Sequence, residues 1–493
     1  MKKIYTALVA LVLLPLAMSA QDQTITMTTS RAAGETLSFT VNRTAEDITV
    51  DWGDGTAVAY TPVSGALREI SGTLKGSTVT VGASSNLQTL ICEGCDLTAL
   101  DVTKAAQLKS LYCSHNAITA LNVRNLKQLQ DLDVSYNALS ALAVTVGNNP
   151  LLQTLNIAHN NLGGISGTTT GTNYTGAFTN LQYLDMSGNG KVKQVTVTSC
   201  QELDYLDISD NAVTRLNLPT TGRFTVIDAA GNQLTALDPT PYTGLLQIDV
   251  TGNQLATLDL SQTKVVKDVF AADNELTYVP FTSRASRDTL NICDLRNNRV
   301  FFSSLPRSTS KVRYLNVNPQ RPFPLTEDMG FKTGSVEVDG VTYTMPYVTQ
   351  NPSYETRSNT DYIVDLSALR TDGNGNARNV ISFLAGGEDG TVLTQYANAT
   401  KTGDFTLVGS RYTFLTEYPR IVVRLTHSTG FYANYTFYSE PFTINEPTAT
   451  GIATLEVAPA DANAAVYDLQ GRRVSNPAKG GVYIIGGRKV LVK

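Results

Sequence analysis

Histidine, tryptophan, cysteine and charge are all scarce in this chain: 3 His, 1 Trp, 5 Cys and 16% charged residues among 493. Each shortage excludes something. The histidines are His115, His159 and His427. The first two share one position of a repeat but stand two repeats apart, about 9.6 Å for stacked strands, too far for one ion. Five cysteines are few for a chain of this length and do not make a disulfide-dense scaffold. A net charge of −5 and a pI near 5.4 leave no basic footprint for nucleic acid. No run of 18 apolar residues is present, so no transmembrane segment is expected. P-loop, nucleophile elbow and zinc spacing are missing as well. The chain is therefore expected to be no enzyme and to need no cofactor and no metal.

What the chain has in abundance is one phrase, L-x-x-L-x-L-x-x-N. LQDLDVSYN (129–137), LDYLDISDN (203–211), LLQIDVTGN (245–253) and LKSLYCSHN (108–116) are clear copies. Eleven copies run from Leu87 to Gln320, with 21 to 29 residues between successive ninth positions. Ten of those positions are Asn or Gln, and Cys95 takes the first. A period this regular specifies a solenoid. Each copy supplies a short strand with leucines inward, and the Asn amide serves backbone groups at the bend. Turns and short 3₁₀ or extended pieces are expected on the other side. The longest repeat contains GGISGTTTGTNYTGAFTN (163–180), which reads as a loop. Cys92, Cys113 and Cys293 take inward positions as small buried side chains; a bridge between Cys92 and Cys113 is the alternative.

The flanks differ. Residues 1–20 carry Lys2 and Lys3, an apolar stretch from Ala7 to Leu16 and small residues at Ala17 to Ala20, the pattern of a secretory signal peptide. Residues 21–86 alternate apolar and polar in TLSFTVN and DITVDW and predict a small β cap, which a solenoid needs at an open end. Asp51, Asp54 and Thr56 fit a hairpin turn better than a Ca²⁺ site. The solenoid is assigned to 87–330. Residues 331–445 hold short alternating segments, including VISFLAG and RIVVRLTH, that predict a β-sandwich. Asp372 to Asn376 resembles the start of a Ca²⁺ loop, but Phe383 stands where a bidentate Glu is required. Residues 446–493 are a linker and a short β tail with VYDLQGRRV and VYIIGGRKVLVK.

The repeat resembles the short internalin-like form of bacterial leucine-rich repeats. The turn VDWGDGT (50–56) ahead of the repeats is similar to secreted leucine-rich repeat proteins of Bacteroidetes-type bacteria. The tail is similar to C-terminal sorting domains of type IX secretion. The resemblance implies a mainly β chain: a right-handed solenoid, or horseshoe, with an N-terminal cap, a C-terminal Ig-like sandwich and a tail module. It also implies a secreted or outer-surface protein of a Gram-negative bacterium, with the tail read by secretion machinery.

By strand alternation the third and fifth positions of the phrase point away from the core. They carry Tyr112, Asp133, Tyr183, Asp185, Tyr205, Asp207, Asp228, Asp249, Phe270 and Asp294, the candidate ligand-binding residues of the concave face. Asp185, Asp207, Asp228 and Asp249 fall in consecutive copies. At about 4.8 Å spacing each neighbouring pair repels by roughly 0.9 kcal/mol in water. An acidic and aromatic strip suits a protein or glycan partner, host-derived ligands included, as in an adhesin. Asp at this position also has a purely structural reading, a hydrogen-bonded ladder. The competing role for the whole chain is a surface-assembly component with no dedicated soluble ligand.

Overall fold

The computed structural model describes residues 23–42, 48–60, 67–83, 87–142, 148–163, 173–175, 178–281, 290–302, 305, 312–329, 331–338, 341–347, 362–371, 376–400, 402–428, 435–444, 466–467, 473–474, 482–485 and 488–491. The signal-peptide pattern, the stretch Asp372 to Gly375, the linker and the glycines of the tail turns lie outside them. The chain divides into two compact units. One holds the residues up to Phe323 with Thr371–Asn379 and Thr426–Phe437, and the other holds the remainder.

In the first unit every copy of the phrase forms one rung. Strands such as Ser110–Tyr112, Asp131–Asp133, Thr154–Asn156, Tyr183–Asp185 and Tyr205–Asp207 pair in parallel with their centres aligned: Leu111, Leu132, Leu155, Leu184 and Leu206. The register continues through Ile227, Ile248, Val269 and Cys293. All nine centres are fully buried. The first and sixth positions of the phrase fill the same core, for example Leu203 and Ile208, Phe224 and Ala229, Leu245 and Val250. Three-residue strands suffice because each rung turns back at once and the next rung buries its apolar edge. This is a leucine-rich repeat solenoid, mainly β.

The Asn ladder fixes the bend. Asn232 donates to the carbonyls of Ala229 (3.1 Å) and Ala230 (3.1 Å) and to Ile208 of the preceding rung (2.9 Å), and its Oδ1 accepts from Val213 N (2.9 Å). Asn116, Asn137, Asn253, Asn274 and Asn298 repeat the pattern one rung at a time. Cys95, in the Asn position, instead directs its thiol at the Ser38 carbonyl of the cap, 3.1 Å away. All five cysteines are buried thiols, none of them in a disulfide.

The side opposite the main sheet is filled by turns and extended pieces, as expected. A 3₁₀ turn, Glu327–Met329, follows the last rung. One correction concerns this side: in the longest rung, Asn173–Thr175 is not loop but pairs with Gln194–Thr196, which pairs with Arg215–Asn217, in a second parallel sheet.

The cap is continuous with both sides of the solenoid. Strand Thr36–Asn42 pairs antiparallel with the first rung strand, Thr89–Ile91, and strand Gln23–Thr29 pairs with Leu97–Asp101 of the same rung. Trp52, 4% exposed, packs against Phe39 in this layer. In the turn that follows, Asp51 Oδ1 accepts from the amides of Gly53, Asp54 and Gly55, and Asp54 pairs with Lys75. At the other end of the unit Phe437 meets Phe302 edge-on at 4.7 Å, and the Tyr435 hydroxyl donates to Leu315 O (3.1 Å).

The second unit contains most of a sheet built on Asn379–Ala385, Tyr418–His427 and Phe442–Ile444, all but Asn379, Thr426 and His427 of those strands. Facing it is a three-stranded antiparallel sheet of Tyr362–Asp365, Arg411–Phe414 and Phe405–Val408. Phe383 of the first meets Phe405, Tyr412 and Phe414 of the second edge-on at 4.9 to 5.4 Å. That aromatic layer makes the pair a β-sandwich. The tail strands Val466–Tyr467, Val482–Ile485 and Arg488–Leu491 form a small antiparallel sheet of their own.

Candidate functional site

All ten candidate residues fall on the outward side of the rung strands. Tyr112, Asp133, Asn156, Asp185, Asp207, Asp228, Asp249, Phe270 and Asp294 are register partners in unbroken succession. Tyr183 and Tyr205 lie two residues before Asp185 and Asp207, at the third place of the phrase, on a flanking column. Their rings stack at 4.5 Å with 8° between planes. The strip is half-buried rather than raised into solvent, because neighbouring rungs crowd each short strand.

Each aspartate spends one oxygen on its own turn. Asp185 Oδ1 accepts from the amide (3.0 Å) and hydroxyl (2.8 Å) of Ser187, and Asp207 does the same with Ser209 (2.9 and 2.7 Å). Asp228 and Asp249 accept only backbone amides, Ala230 N at 3.0 Å and Thr251 N at 2.8 Å. The second oxygen of Asp185, Asp228 and Asp249 has no donor among the described residues. The Tyr205 phenol stands beside the Asp207 carboxylate. Asp133 Oδ2 takes the Asn156 amide at 3.3 Å. Asp294 stands apart: it is 7% exposed and held in a two-pronged pair by Arg296, with 2.7 Å from Nη2 to Oδ2, so its charge is neutralised.

The electrostatics follow from burial and like charge. Asp228 is pushed up to about 7, first by burial and then by Asp207 and Asp249 on either side; the Ala230 amide opposes this. Asp185 is also raised by burial, against the pull of Ser187. Where Ser187 offers a hydroxyl, Ala230 has none, which leaves Asp228 the less solvated anion. Burial beside these acids raises Tyr183, and pushes Tyr205 up to about 12. Both phenols stay protonated and can donate. No group of three or more His, Cys, Asp or Glu among the described residues is arranged to hold a metal ion.

Two features of this unit escape the sequence reading. One is an open notch of about 370 Å³ lined by Gln182, Glu202, Asp204, Arg223 and Thr225, with Arg223 paired to Glu202 at 2.6 Å. Its signal is the polar second position of three successive copies. The other is a stack of His115, Tyr136 and His159 at the eighth position. Its signal is bulky rings where most rungs carry Gly, Asp or Asn.

Among known families, the model described as Leucine Rich repeat matches residues 148–167. No curated protein matches the chain. Among solved structures, the functional domain of InlJ from Listeria monocytogenes is 20% identical, covering 76% of this chain and 94% of that one, with a TM-score of 0.32. YopM from Yersinia pestis is 22% identical over 48% of this chain and 62% of that one, with a TM-score of 0.37. The leucine-rich repeat protein LIC12759 of Leptospira interrogans is 17% identical over 45% and 69%, with a TM-score of 0.28. The repeat model on one rung, and the same register through the other rungs, make this chain a leucine-rich repeat protein in fold.

Proposed function

We propose that this is an exported, surface-associated binding protein that holds a protein or glycan partner on the outward face of its main sheet, in the manner of an adhesin. One observation carries the reading. Capping the turn after each strand needs an acceptor, not a charge: Asn156 Oδ1 caps Ala158 N at 3.1 Å in the same position, and Tyr112 and Phe270 occupy it with no cap at all. Yet Asp185, Asp207, Asp228 and Asp249 stand in register through four rungs, at the cost of mutual repulsion. Turn structure accounts for one oxygen of each. The others, beside the phenols of Tyr183 and Tyr205, form a strip suited to a partner bearing cationic or multiple hydrogen-bonding groups.

Export is the part that rests on the sequence alone. The pattern of residues 1–20 supports a cleaved leader, and the tail supports recognition by secretion machinery. N-terminal sequencing of exported protein should begin after residue 19 or 20, and retention of Met1 would refute the leader. Binding is tested with the full mature chain on peptide and glycan arrays, beside a variant in which Asp185, Asp207 and Asp249 become Asn. The variant keeps the turn acceptors and should lose the arrayed ligands, with the wild-type signal weakening as salt rises. Equal binding by both proteins would remove the acid column from the recognition surface.

A further inference from the structure

The eighth position of the repeat lies just past each strand, and its backbone is left-handed. Most rungs meet that demand with residues suited to it, such as Gly231 (φ 63°), Asp210 (52°) and Asn297 (54°). Three consecutive rungs do not: His115 (54°), Tyr136 (51°) and His159 (50°) put bulky rings there. All three are exposed, so the core does not call for them. They stack on one another, 4.4 Å and 10° between His115 and Tyr136, 4.2 Å and 21° between Tyr136 and His159.

The stack has one closed and one open end. Below His159 is Gly188, where a Cβ would come within 2.5 Å of the imidazole Nδ1, so that ring covers the glycine. Above His115 is Gly94, where a Cβ would meet no heavy atom within 4 Å. The place of a fourth ring is therefore vacant. Polar groups border it. Glu93 is exposed and accepts the Ser114 hydroxyl at 3.1 Å. Arg31 donates from Nη2 to Gly94 O at 2.9 Å and pairs with Asp96 at 2.8 Å.

We propose that the outer face of His115 above Gly94 is a binding slot for an aromatic side chain of a protein partner, seated as the next plane of the ladder. The platform favours a flat occupant: the rings stack with centroids 4.2 to 4.4 Å apart, nearly parallel, a series that another aromatic ring continues on the outer face of His115. The border selects further. Glu93 offers an acceptor to an indole N–H or a phenol O–H, and the Arg31 guanidinium is a cation at the ring's edge. The slot deepens the binding role proposed above by naming a side chain of the partner, and its test does not depend on the acid column.

With three histidines in the chain, imidazole resonances of the full-length protein are readily assigned. N-acetyltryptophanamide is titrated at constant pH. The His115 ring protons should shift upfield and saturate, His159 should move less, and His427 should stay in place. Gly94→His fills the slot with a ring in a backbone conformation that His115 and His159 already adopt; it should weaken the probe roughly tenfold. His115→Asn removes the platform with a residue that tolerates the left-handed backbone, and should weaken it equally, read from the fluorine signal of a 5-fluorotryptophanamide probe. The Asp185, Asp207 and Asp249 to Asn variant should bind the probe as wild type does. Shifts at His115 no larger than at His427, or probe binding unchanged in both slot variants, would overturn the proposal. An equal response to a methyl glucoside would overturn the aromatic occupant.

Discussion

Asn274 and Asn211 occupy the same repeat position, and removing their side chains should cost different amounts. The Asn274 amide is fully buried. It donates to Val250 O (2.8 Å), Ala271 O (3.4 Å) and Ala272 O (3.1 Å), and its Oδ1 accepts from Leu255 N (3.0 Å). In Asn274→Ala each of those carbonyls keeps another donor: Asn253 for Val250, Asn298 for Ala271 and the Gly252 amide for Ala272. The Leu255 N–H loses its partner. Asn211 likewise donates to three carbonyls, Met186, Ile208 and Ser209, each at 3.0 Å, and each keeps a second donor in Asn189, Asn232 or the Gly188 amide. Its Oδ1, however, accepts nothing.

The comparison isolates one buried N–H. Losing donors from carbonyls that stay satisfied costs about 0.5–1 kcal/mol each, and orphaning a buried N–H costs about 1–3 kcal/mol. Asn274→Ala should therefore lose about 3–5 kcal/mol and Asn211→Ala about 2 kcal/mol. Asn274→Asp should be the worst of the three, because it keeps the acceptor for Leu255 but presses a carboxylate oxygen against carbonyls. Equilibrium urea unfolding followed by circular dichroism gives the three values. Hydrogen exchange at Leu255 and its neighbours locates the lesion. Equal losses in Asn274→Ala and Asn211→Ala would refute the accounting, since the Leu255 bond would then carry no weight.

Other perturbations probe the column, the core and the ladder. For Asp228, raised to about 7 from the ordinary carboxylate value of 3.8, the folded state holds the proton more tightly, so its contribution is complete below the unfolded pKa and is lost as pH rises through 7. Relative to wild type, Asp228→Asn should gain about 1–2 kcal/mol between about pH 4 and pH 8, after discounting for screening of a half-exposed group, and parallel urea midpoints would reveal a flat difference if this is wrong. Leu206→Asp places a charge at a fully buried rung centre; it should cost several kcal/mol and remove exchange protection from the rungs on both sides, and an intact exchange pattern would argue against a shared core. Gly188→Ala sets a Cβ 2.5 Å from the His159 ring in a backbone at φ 65°. It should cost about 1–2 kcal/mol and shift the His159 resonances, and an unmoved His159 would show that the ring does not rest on the glycine.

The solenoid was legible because each of its positions answers one physical demand. Leu at the fourth place fills a core, Asn at the ninth place bridges two rungs, and both recur without tertiary information. The cap was legible only in part. Thr36–Asn42 alternates cleanly and is readable, whereas Leu67–Thr73 has an exposed Leu67 and a single buried apolar residue, Ile70, so its pattern is faint although it pairs along its whole length. Asn173–Thr175 is hidden for another reason. Three residues in a Gly/Thr-rich stretch carry no period, and only the partner strand Gln194–Thr196 makes them a strand. On the outward face, the acid column could be read from spacing. The seventh-position hydroxyls that take up one oxygen of Asp185 and Asp207 could not be assigned before the turn geometry was known. The ring stack depends on a positive φ, which the phrase does not encode directly.

The repeat separates structural from functional demand position by position. At the ninth place almost every donor and acceptor of the amide is used, and the one mismatch, at Asn211, follows a rung whose turn reads Asn189-Gly190-Lys191 rather than the common form. Little chemistry is left over there for a ligand. At the fifth place the turn takes one oxygen of each Asp or Asn, and the residue varies among Asp, Asn, Tyr, Phe and Ile without breaking the register. At the eighth place the backbone asks only for tolerance of a left-handed conformation, and rings sit where Gly or Asn would be less strained. Chemistry in excess of what folding requires therefore stands at the fifth and eighth places, in Asp185 to Asp249 and in His115 to His159, with Tyr183 and Tyr205 beside the acids at the third place. Both lie beside the same parallel sheet, whose strands are spaced by the rung pitch. A partner that reads this surface must match that pitch, with charges or rings repeating at the interval the leucines impose on the core.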